Sequence, residues 1–93
     1  MVKIGSYFYS KSSRKNKKLK VNVGKGKVIH FGDIRYKHFK DLTKYHSKLD
    51  HYDLTRKESY LKRAKGIKDK KGKLTRLNPQ SANYHATRIL WDA

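Results

Sequence analysis

The excess of positive charge is the property that most constrains this sequence. It carries 25 Lys and Arg against seven Asp and Glu, a formal net charge of +18 over 93 residues. Charges of one sign repel one another in a compact state, so a chain of this kind is expected to have a polyanionic partner. Leu, Ile, Val and Phe make up about 22% of the residues, just above the roughly 20% below which a charged chain is expected to stay disordered. The sequence therefore predicts a single small basic domain, residues 1–93, with a thin core.

Missing sequence features exclude several classes of protein. There is no Cys, which excludes disulfides, thiolate metal sites and cysteine nucleophiles. No apolar run approaches the length of a membrane-spanning helix, and the start MVKIGSYFYS lacks the apolar segment of a signal peptide. We therefore expect a protein that acts inside a cell or a particle, with no membrane partner.

Alternating apolar and polar residues predict a small antiparallel sheet in the first third of the chain. Residues 2–10 indicate one short strand, interrupted near Gly5. Two further alternating runs flank Gly24-Lys25-Gly26, and this pattern predicts a β-hairpin over residues 19–31. Residues 11–18 lie between these strands and hold no acidic residue, so we expect a mobile basic arm or loop there.

Helical patterns dominate the rest of the chain. The apolar spacing of residues 33–52 favours a broken helix, and Asp53 is a predicted N-cap of a second helix. Residues 66–79 predict a basic loop or hairpin. Ser81 is a predicted N-cap of a last, amphipathic helix, whose apolar stripe includes His85. The predicted fold class is α+β, a small three-stranded antiparallel sheet covered by two or three C-terminal helices.

Histidines and carboxylates do not form a catalytic or metal-binding pattern. The five histidines lack the i, i+4 pairing of a helical zinc site, and His85 is predicted to be a hydrogen-bonded core residue. The seven carboxylates are scattered singly in a positive field that lowers their pKa values, which does not suit a general acid. We expect no catalytic residue, metal, cofactor or small-molecule substrate. A small nuclease is the enzymatic alternative.

Two basic segments are the strongest functional signal. Lysine outnumbers arginine in them, which favours diffuse contact with phosphates over bidentate recognition of guanine. If the fold brings them to one side, they predict binding to a nucleic-acid backbone without sequence preference. The predicted nucleic-acid-binding residues are Lys11, Arg14, Lys15, Lys17, Lys18, Lys20, Lys25, Lys27, Lys68, Lys70, Lys71, Lys73 and Arg76.

A further set of residues carries a resemblance to a viral family. These residues are the string VIHFGD at residues 28–33, a spaced motif that begins at His51 and ends at Arg63, and the pair Leu90-Trp91 near the end. In these features the sequence resembles a family of small basic proteins of large DNA viruses and tailed phages. The family pattern includes H-x-D-x-x-R-x-x-Y-x-x-R, and this chain has one additional residue before its tyrosine. The motif and interface residues are His51, Asp53, Arg56, Tyr60, Arg63 and Trp91.

The resemblance implies a virus-encoded protein without established enzymatic activity. Physically, we expect Asp53 to cap a helix and to accept a hydrogen bond from His51, and Tyr60 and Trp91 to lie in the core or in a subunit interface. The leading hypothesis is a minor capsid or internal virion protein. It would lie inside the capsid, and in the host cell during assembly, touching packaged nucleic acid and capsid proteins. The alternatives are a capsid-cementing protein that binds an acidic protein surface, and a ribosomal-type RNA-binding protein.

Overall fold

The computed structural model describes all residues, Met1–Ala93, as a four-stranded sheet followed by two α-helices. The antiparallel strands are neighbours in chain order: β1 (Val2–Ile4), β2 (Tyr7–Lys11), β3 (Lys17–Asn22) and β4 (Val28–Asp33). The helices are α1 (Leu54–Ala64) and α2 (Ala82–Ile89), and short 3-10 turns occupy Ser47–Leu49 and Thr75–Leu77. The predicted α+β class, a small antiparallel sheet with C-terminal helices, is confirmed.

The hairpin predicted over residues 19–31 is confirmed as β3 and β4. Leu19 lies opposite Phe31 and Val21 opposite Ile29, and all four side chains are buried. The turn between the strands is closed by a hydrogen bond of 2.9 Å from the Lys27 N–H to the Gly24 carbonyl. The alternation of apolar and polar residues predicts this hairpin correctly because one face of both strands packs into the core.

The prediction of one strand over residues 2–10 is wrong. Gly5 adopts a φ of 61°, and the chain turns back at this point so that Val2 pairs with Tyr9 and Ile4 with Tyr7. A φ in the left-handed region is open to glycine without steric cost, which makes a tight turn possible there. The sheet therefore has four strands instead of three.

Residues 34–52 form a loop whose only helical part is the 3-10 turn Ser47–Leu49, so the predicted broken α-helix is absent. The buried carboxylate of Asp41 accepts hydrogen bonds from the Thr43 N–H at 2.8 Å, the Thr43 hydroxyl at 2.6 Å and the His46 N–H at 2.8 Å. Such local side-chain bonds offer the backbone an alternative to helical pairing. The N–H groups of Lys40 and Leu42 donate to carbonyls at the end of α2, and these bonds hold the loop against the helix.

Both predicted N-caps are confirmed. The Asp53 carboxylate accepts from the N–H groups of Thr55 at 3.0 Å and Arg56 at 3.2 Å, and the Ser81 hydroxyl accepts from the Tyr84 N–H at 3.3 Å. These bonds satisfy backbone donors that have no partner inside a helix, and they fix where α1 and α2 begin.

The core lies between the sheet and α2, and His85 is at its centre. The His85 side chain is fully buried, accepts a hydrogen bond from the Tyr9 hydroxyl at 2.9 Å and donates to the Pro79 carbonyl at 2.7 Å. The prediction of a hydrogen-bonded core histidine is confirmed. Burial lowers the pKa of His85 because the charged ring would lose its hydration. The buried hydrophobic cluster consists of Tyr9, Leu19, Val21, Ile29, Phe31, Ala86, Ile89 and Leu90.

Gly32 fixes the contact between β4 and α2, and its substitution tests that contact. Gly32 has a φ of 76°, and a Cβ there would lie 2.8 Å from Leu90 Cδ1 and 3.2 Å from Lys18 Cβ. Gly26 is a matched control because its φ is 75° and a Cβ there would meet nothing within 4 Å. We expect Gly32→Ala to lower the free energy of unfolding by about 1–3 kcal/mol more than Gly26→Ala in urea denaturation. Equal losses would show that backbone strain alone matters at Gly32.

Buried histidines make the stability of the fold depend on pH. The folded pKa of His85 lies below its ordinary value of 6.5, so its contribution is complete above pH 6.5 and is lost as the pH falls below that value. Burial also lowers the pKa of His38 and His51. We expect the melting temperature to fall from about pH 6.5 to about pH 5.

His85→Gln is the control for this pH dependence. A glutamine can keep one donor and one acceptor at this position but does not titrate. The fall in melting temperature should therefore be shallower in the variant, as measured by circular dichroism at each pH. A melting temperature that is constant over this range in the wild type would contradict the account.

Candidate nucleic-acid interface

Little of the positive charge is neutralised within the fold. Among the Lys and Arg residues, only Arg35 and Lys57 form ion pairs with carboxylates, at 2.7 Å from Asp33 and 3.9 Å from Asp92. Most of the other carboxylates accept hydrogen bonds from backbone N–H groups instead; they are Asp41, Asp50, Asp53 and Asp69. The acids therefore stabilise loops and helix ends, while the cations stay available to a partner.

A basic arm or loop is predicted over residues 11–18, but Lys11 belongs to β2 and Lys17 and Lys18 belong to β3, so only residues 12–16 connect the two strands. Lys11 ends β2 opposite Leu19 of β3. The Lys17 N–H donates to the Arg14 carbonyl at 3.2 Å, and the Asn16 carbonyl accepts from the Ile34 N–H at 3.0 Å. The connection is thereby attached to the end of β4. The cations in and beside it, Lys11, Arg14, Lys15 and Lys17, are exposed.

Lys18, one of the predicted nucleic-acid-binding residues, is buried and therefore not available to a partner. Its side chain is 3% exposed, and its Nζ donates to His38 Nδ1 at 2.8 Å, while His38 Nε2 donates to Asp50 Oδ1 at 2.5 Å. Burial lowers the pKa of Lys18 to about 8, although Asp41 and other nearby carboxylates oppose this shift. We call these three residues the Lys18–His38–Asp50 network. The pattern of charges along the strand gives no sign that one lysine in this run is buried.

The second basic segment, residues 66–79, lies at the other end of the sheet. Asp69 accepts from the N–H groups of Lys71 at 2.8 Å and Lys73 at 3.0 Å, and Lys68 forms an antiparallel bridge with Leu74, so the segment is a short hairpin-like loop. The segment begins just after α1. Gln80, directly after its last residue, donates a hydrogen bond of 3.4 Å from its side-chain amide to the Val23 carbonyl, beside the turn between β3 and β4. The two basic segments therefore do not meet on one side of the fold.

At this end of the sheet, exposed cations lie both in the turn between β3 and β4 and in the second basic segment. Lys25, Lys27, Lys68, Lys70, Lys71 and Lys73 are exposed, and Arg76 is half-buried. Lys20 is half-buried on the face of the sheet that α2 leaves uncovered, in register with Ser10 and His30. Burial and the neighbouring cations Arg14 and Lys20 lower the pKa of His30, which reflects the positive field over this face.

A cleft of about 740 Å³ separates α1 from the edge strand β4. Its two walls are lined by residues from the end of the sheet, such as Lys17 and Phe31, and by Arg56, Tyr60 and Arg63 of α1. α2 contacts both β4 and α1, and it lines the region between them. The cleft extends from the connection between β2 and β3 towards the base of the second basic loop.

The motif residues come together in this cleft. Tyr60 stacks on Trp91, with ring centroids 4.0 Å apart and an interplanar angle of 6°, and Trp91 also meets the edge of His51 at 5.3 Å. These contacts join α1 to the segment that follows α2. Arg56, Tyr60 and Arg63 lie at i, i+4 and i+7 of α1, and this spacing is the sequence signal for a shared face.

The predicted hydrogen bond from His51 to the Asp53 carboxylate is wrong. The Asp53 N–H donates to His51 Nδ1 at 2.9 Å, because the carboxylate is already engaged as the cap of α1. Burial and the adjacent Arg56 lower the pKa of His51, which favours the neutral ring. Its Nε2, which therefore carries the proton, is buried and has no hydrogen-bond partner.

The cleft is positive along its length. Lys17, Lys37, Arg56 and Arg63 are exposed residues in its lining. Asp33 is the one carboxylate in the lining. Arg35, which does not line the cleft, donates from Nε to Asp33 Oδ1 at 3.0 Å and from Nη2 to Asp33 Oδ2 at 2.7 Å. The hydrogen bonds from Arg35 lower the pKa of Asp33 to about 2. An anion entering the cleft would therefore meet free cations and one carboxylate that is already paired.

Metal-binding clusters and membrane-spanning helices are absent from the structure. Nowhere do three or more His, Asp or Glu side chains converge as metal ligands, and neither helix is long and apolar enough to cross a membrane. In comparisons with known proteins, no family model, no curated protein and no solved structure matches the chain. The viral resemblance therefore rests on the motif residues alone.

Proposed function

We propose that this protein binds nucleic acid through the phosphate backbone, without sequence preference and without an enzymatic step. The observation that carries the proposal is the set of exposed cations left unpaired by a fold that uses its few acids elsewhere. Each cation placed near a phosphate releases condensed counterions, and this release supplies affinity independently of the base sequence. Contacts at both ends of the sheet would let several phosphates be neutralised at once.

The kinds of cation support backbone contact over base reading. Lysine predominates in both basic segments, and an ammonium group interacts with phosphate as a point charge. The segments also lie in a strand connection and a hairpin-like loop, instead of on a helix that could enter a groove of duplex DNA. Phosphate contacts of this kind position a protein on its partner but carry no sequence information.

From the viral resemblance we also propose the setting of this activity. The nucleic acid would be a packaged genome, and the protein would lie inside the capsid, in contact with capsid proteins. An acidic protein surface and a folded ribosomal-type RNA are the alternative partners. The same charge would serve each of them, so binding measurements with different polyanions distinguish the three.

Removing exposed cations from the connection between β2 and β3 should weaken binding without unfolding the protein. We expect the triple variant Lys11→Ser, Arg14→Ser and Lys15→Ser to lower affinity for duplex DNA and to reduce the slope of log affinity against log salt by roughly 0.9 for each phosphate that is no longer neutralised. Its melting temperature should not fall below that of the wild type, since none of the three residues is buried. Fluorescence anisotropy at several salt concentrations measures the affinity and the slope.

Lys18→Ser is the control for this experiment. Because Lys18 is buried and bonded to His38, its loss should lower the melting temperature, whereas the triple variant should not. Weak binding of the wild-type protein to duplex DNA, single-stranded DNA and structured RNA near physiological salt would reject the proposal in favour of an acidic protein partner. Tight binding to one folded RNA alone would favour the ribosomal-type alternative.

A further inference from the structure

We propose that the cleft between α1 and β4 binds an unpaired stretch of single-stranded nucleic acid, with phosphates on the arginines of α1 and a base inside the cleft. This inference deepens the proposed function and rests on it. It assigns a specific site and a preferred strand state to a protein whose other cations make diffuse contacts.

The exposed cations of the cleft favour a strand of nucleic acid as its occupant. Arg56 and Arg63 are exposed on the same face of α1, and two further exposed cations line the cleft, Lys17 of β3 and Lys37 of the loop after β4. No free carboxylate faces them, because Asp33 is held by Arg35. Cations on both walls fit a ligand that carries a negative charge at regular intervals. Guanidinium groups also bind phosphate oxygens in a bidentate manner.

Size and shape are the second argument. A volume of about 740 Å³ lies within the roughly 300–1,000 Å³ of small-molecule binding sites, which is enough for a nucleotide unit. The whole molecule measures 35 × 31 × 25 Å, and the cleft lies between one helix and one strand edge. A duplex buries its bases between two backbones and can only rest on the outside of such a molecule. An unpaired strand can turn a base inward.

Aromatic and apolar surface is the third argument. Tyr36 lines the cleft with 66% of the residue exposed, and Tyr60 lines it from α1. Phe31 and Leu90 also line the cleft, although both are buried in the core. A free aromatic ring beside cations is the combination on which unpaired bases stack in single-strand-binding proteins. An acidic peptide would use the cations but would not need the exposed ring.

Unused polar groups in the cleft suit a base edge or a sugar. The Asn83 amide donates to the Ala64 carbonyl at 2.9 Å and to the Thr75 hydroxyl at 3.0 Å, which fixes the side chain and leaves its Oδ1 without a partner. The Thr55 and Ser59 hydroxyls also line the cleft and make no hydrogen bond within the protein. These groups offer acceptors and donors that favour no single base pattern.

The position of the cleft connects the two basic segments. Lys17 lies in the lining at the end of the connection between β2 and β3, and Arg63 lies near the end of α1, just before the second basic loop. A strand that follows the cleft would therefore leave it at either end beside further exposed lysines. The separated basic segments, which do not form one face, would then act on the same strand.

Matched charge variants on α1 test this assignment. Arg56 and Arg63 line the cleft, whereas Lys62 and Lys65 are exposed cations at the C-terminal end of α1 that do not. We expect the wild type to bind a labelled 15-nucleotide oligothymidine more tightly than a duplex of equal length at about 150 mM salt. The pair Arg56→Gln and Arg63→Gln should lose about tenfold more affinity for the oligothymidine than the pair Lys62→Gln and Lys65→Gln. The two pairs should bind the duplex equally.

A second pair of variants tests stacking without a change in charge. Tyr36→Ala should weaken oligothymidine binding by about tenfold, within the range of alanine substitutions at stacking aromatics. Phe8→Ala is the control, because Phe8 is an exposed aromatic beside Lys3, as Tyr36 is beside Arg35, but lies outside the cleft. The phenylalanine variant should bind as the wild type does.

The outcomes separate this inference from the proposed function. Equal losses in the two arginine and lysine pairs, or equal affinity of the wild type for both strand states, would overturn the cleft assignment and leave diffuse backbone binding intact. No binding to either nucleic acid would overturn both. Binding of poly-glutamate with the same sensitivity to Arg56→Gln and Arg63→Gln would assign the cleft to an acidic polypeptide instead.

Discussion

Lys18 carries its ammonium group into the interior, and the contacts around it organise much of the structure. Its Nζ bonds to His38, which bonds in turn to Asp50, and Asp50 also accepts from the Asp41 N–H at 2.9 Å. The His38 N–H donates to the Leu49 carbonyl, and the His38 carbonyl accepts from the His51 N–H, so the backbone of His38 is bonded to the residues on either side of Asp50. These bonds attach the long loop after β4 to the sheet. Because that loop supplies Tyr36, Lys37 and His51 to the cleft, the site depends on this buried network.

The scarcity of acids explains how such a basic chain has both a defined fold and a free positive surface. The carboxylates of Asp41 and Asp69 each accept hydrogen bonds from two backbone N–H groups. A carboxylate that formed an ion pair with a lysine instead would leave such N–H groups without a partner. The core itself is small and centred on α2 and the sheet. Stability therefore depends strongly on satisfied polar groups in loops, and repulsion among the remaining cations is a cost that a polyanion would remove.

Local patterns predict the local elements well. The hairpin over residues 19–31 and the caps at Asp53 and Ser81 depend on short-range alternation and on side-chain bonds within three residues, both visible in the sequence. The helical prediction fails over residues 34–52, where Leu42 and Tyr45 pack against the core cluster and the carboxylates of Asp41 and Asp50 accept hydrogen bonds from backbone N–H groups. The burial of Lys18 and the cleft are not predictable in this way, since both arise from elements distant in sequence. The motif row on α1 indicates a shared face but not what that face meets.

Amide chemical shifts would report directly on the proposed binding of nucleic acid along the cleft between α1 and β4. In a titration of ¹⁵N-labelled protein with an oligothymidine, we predict the largest shifts for residues that line the cleft, including Gly32, Lys37, Arg56 and Asn83. Smaller shifts should occur in the connection between β2 and β3 and in the loop at residues 66–79. Shifts confined to the uncovered sheet face around Lys20 and His30, with the cleft residues unchanged, would contradict it.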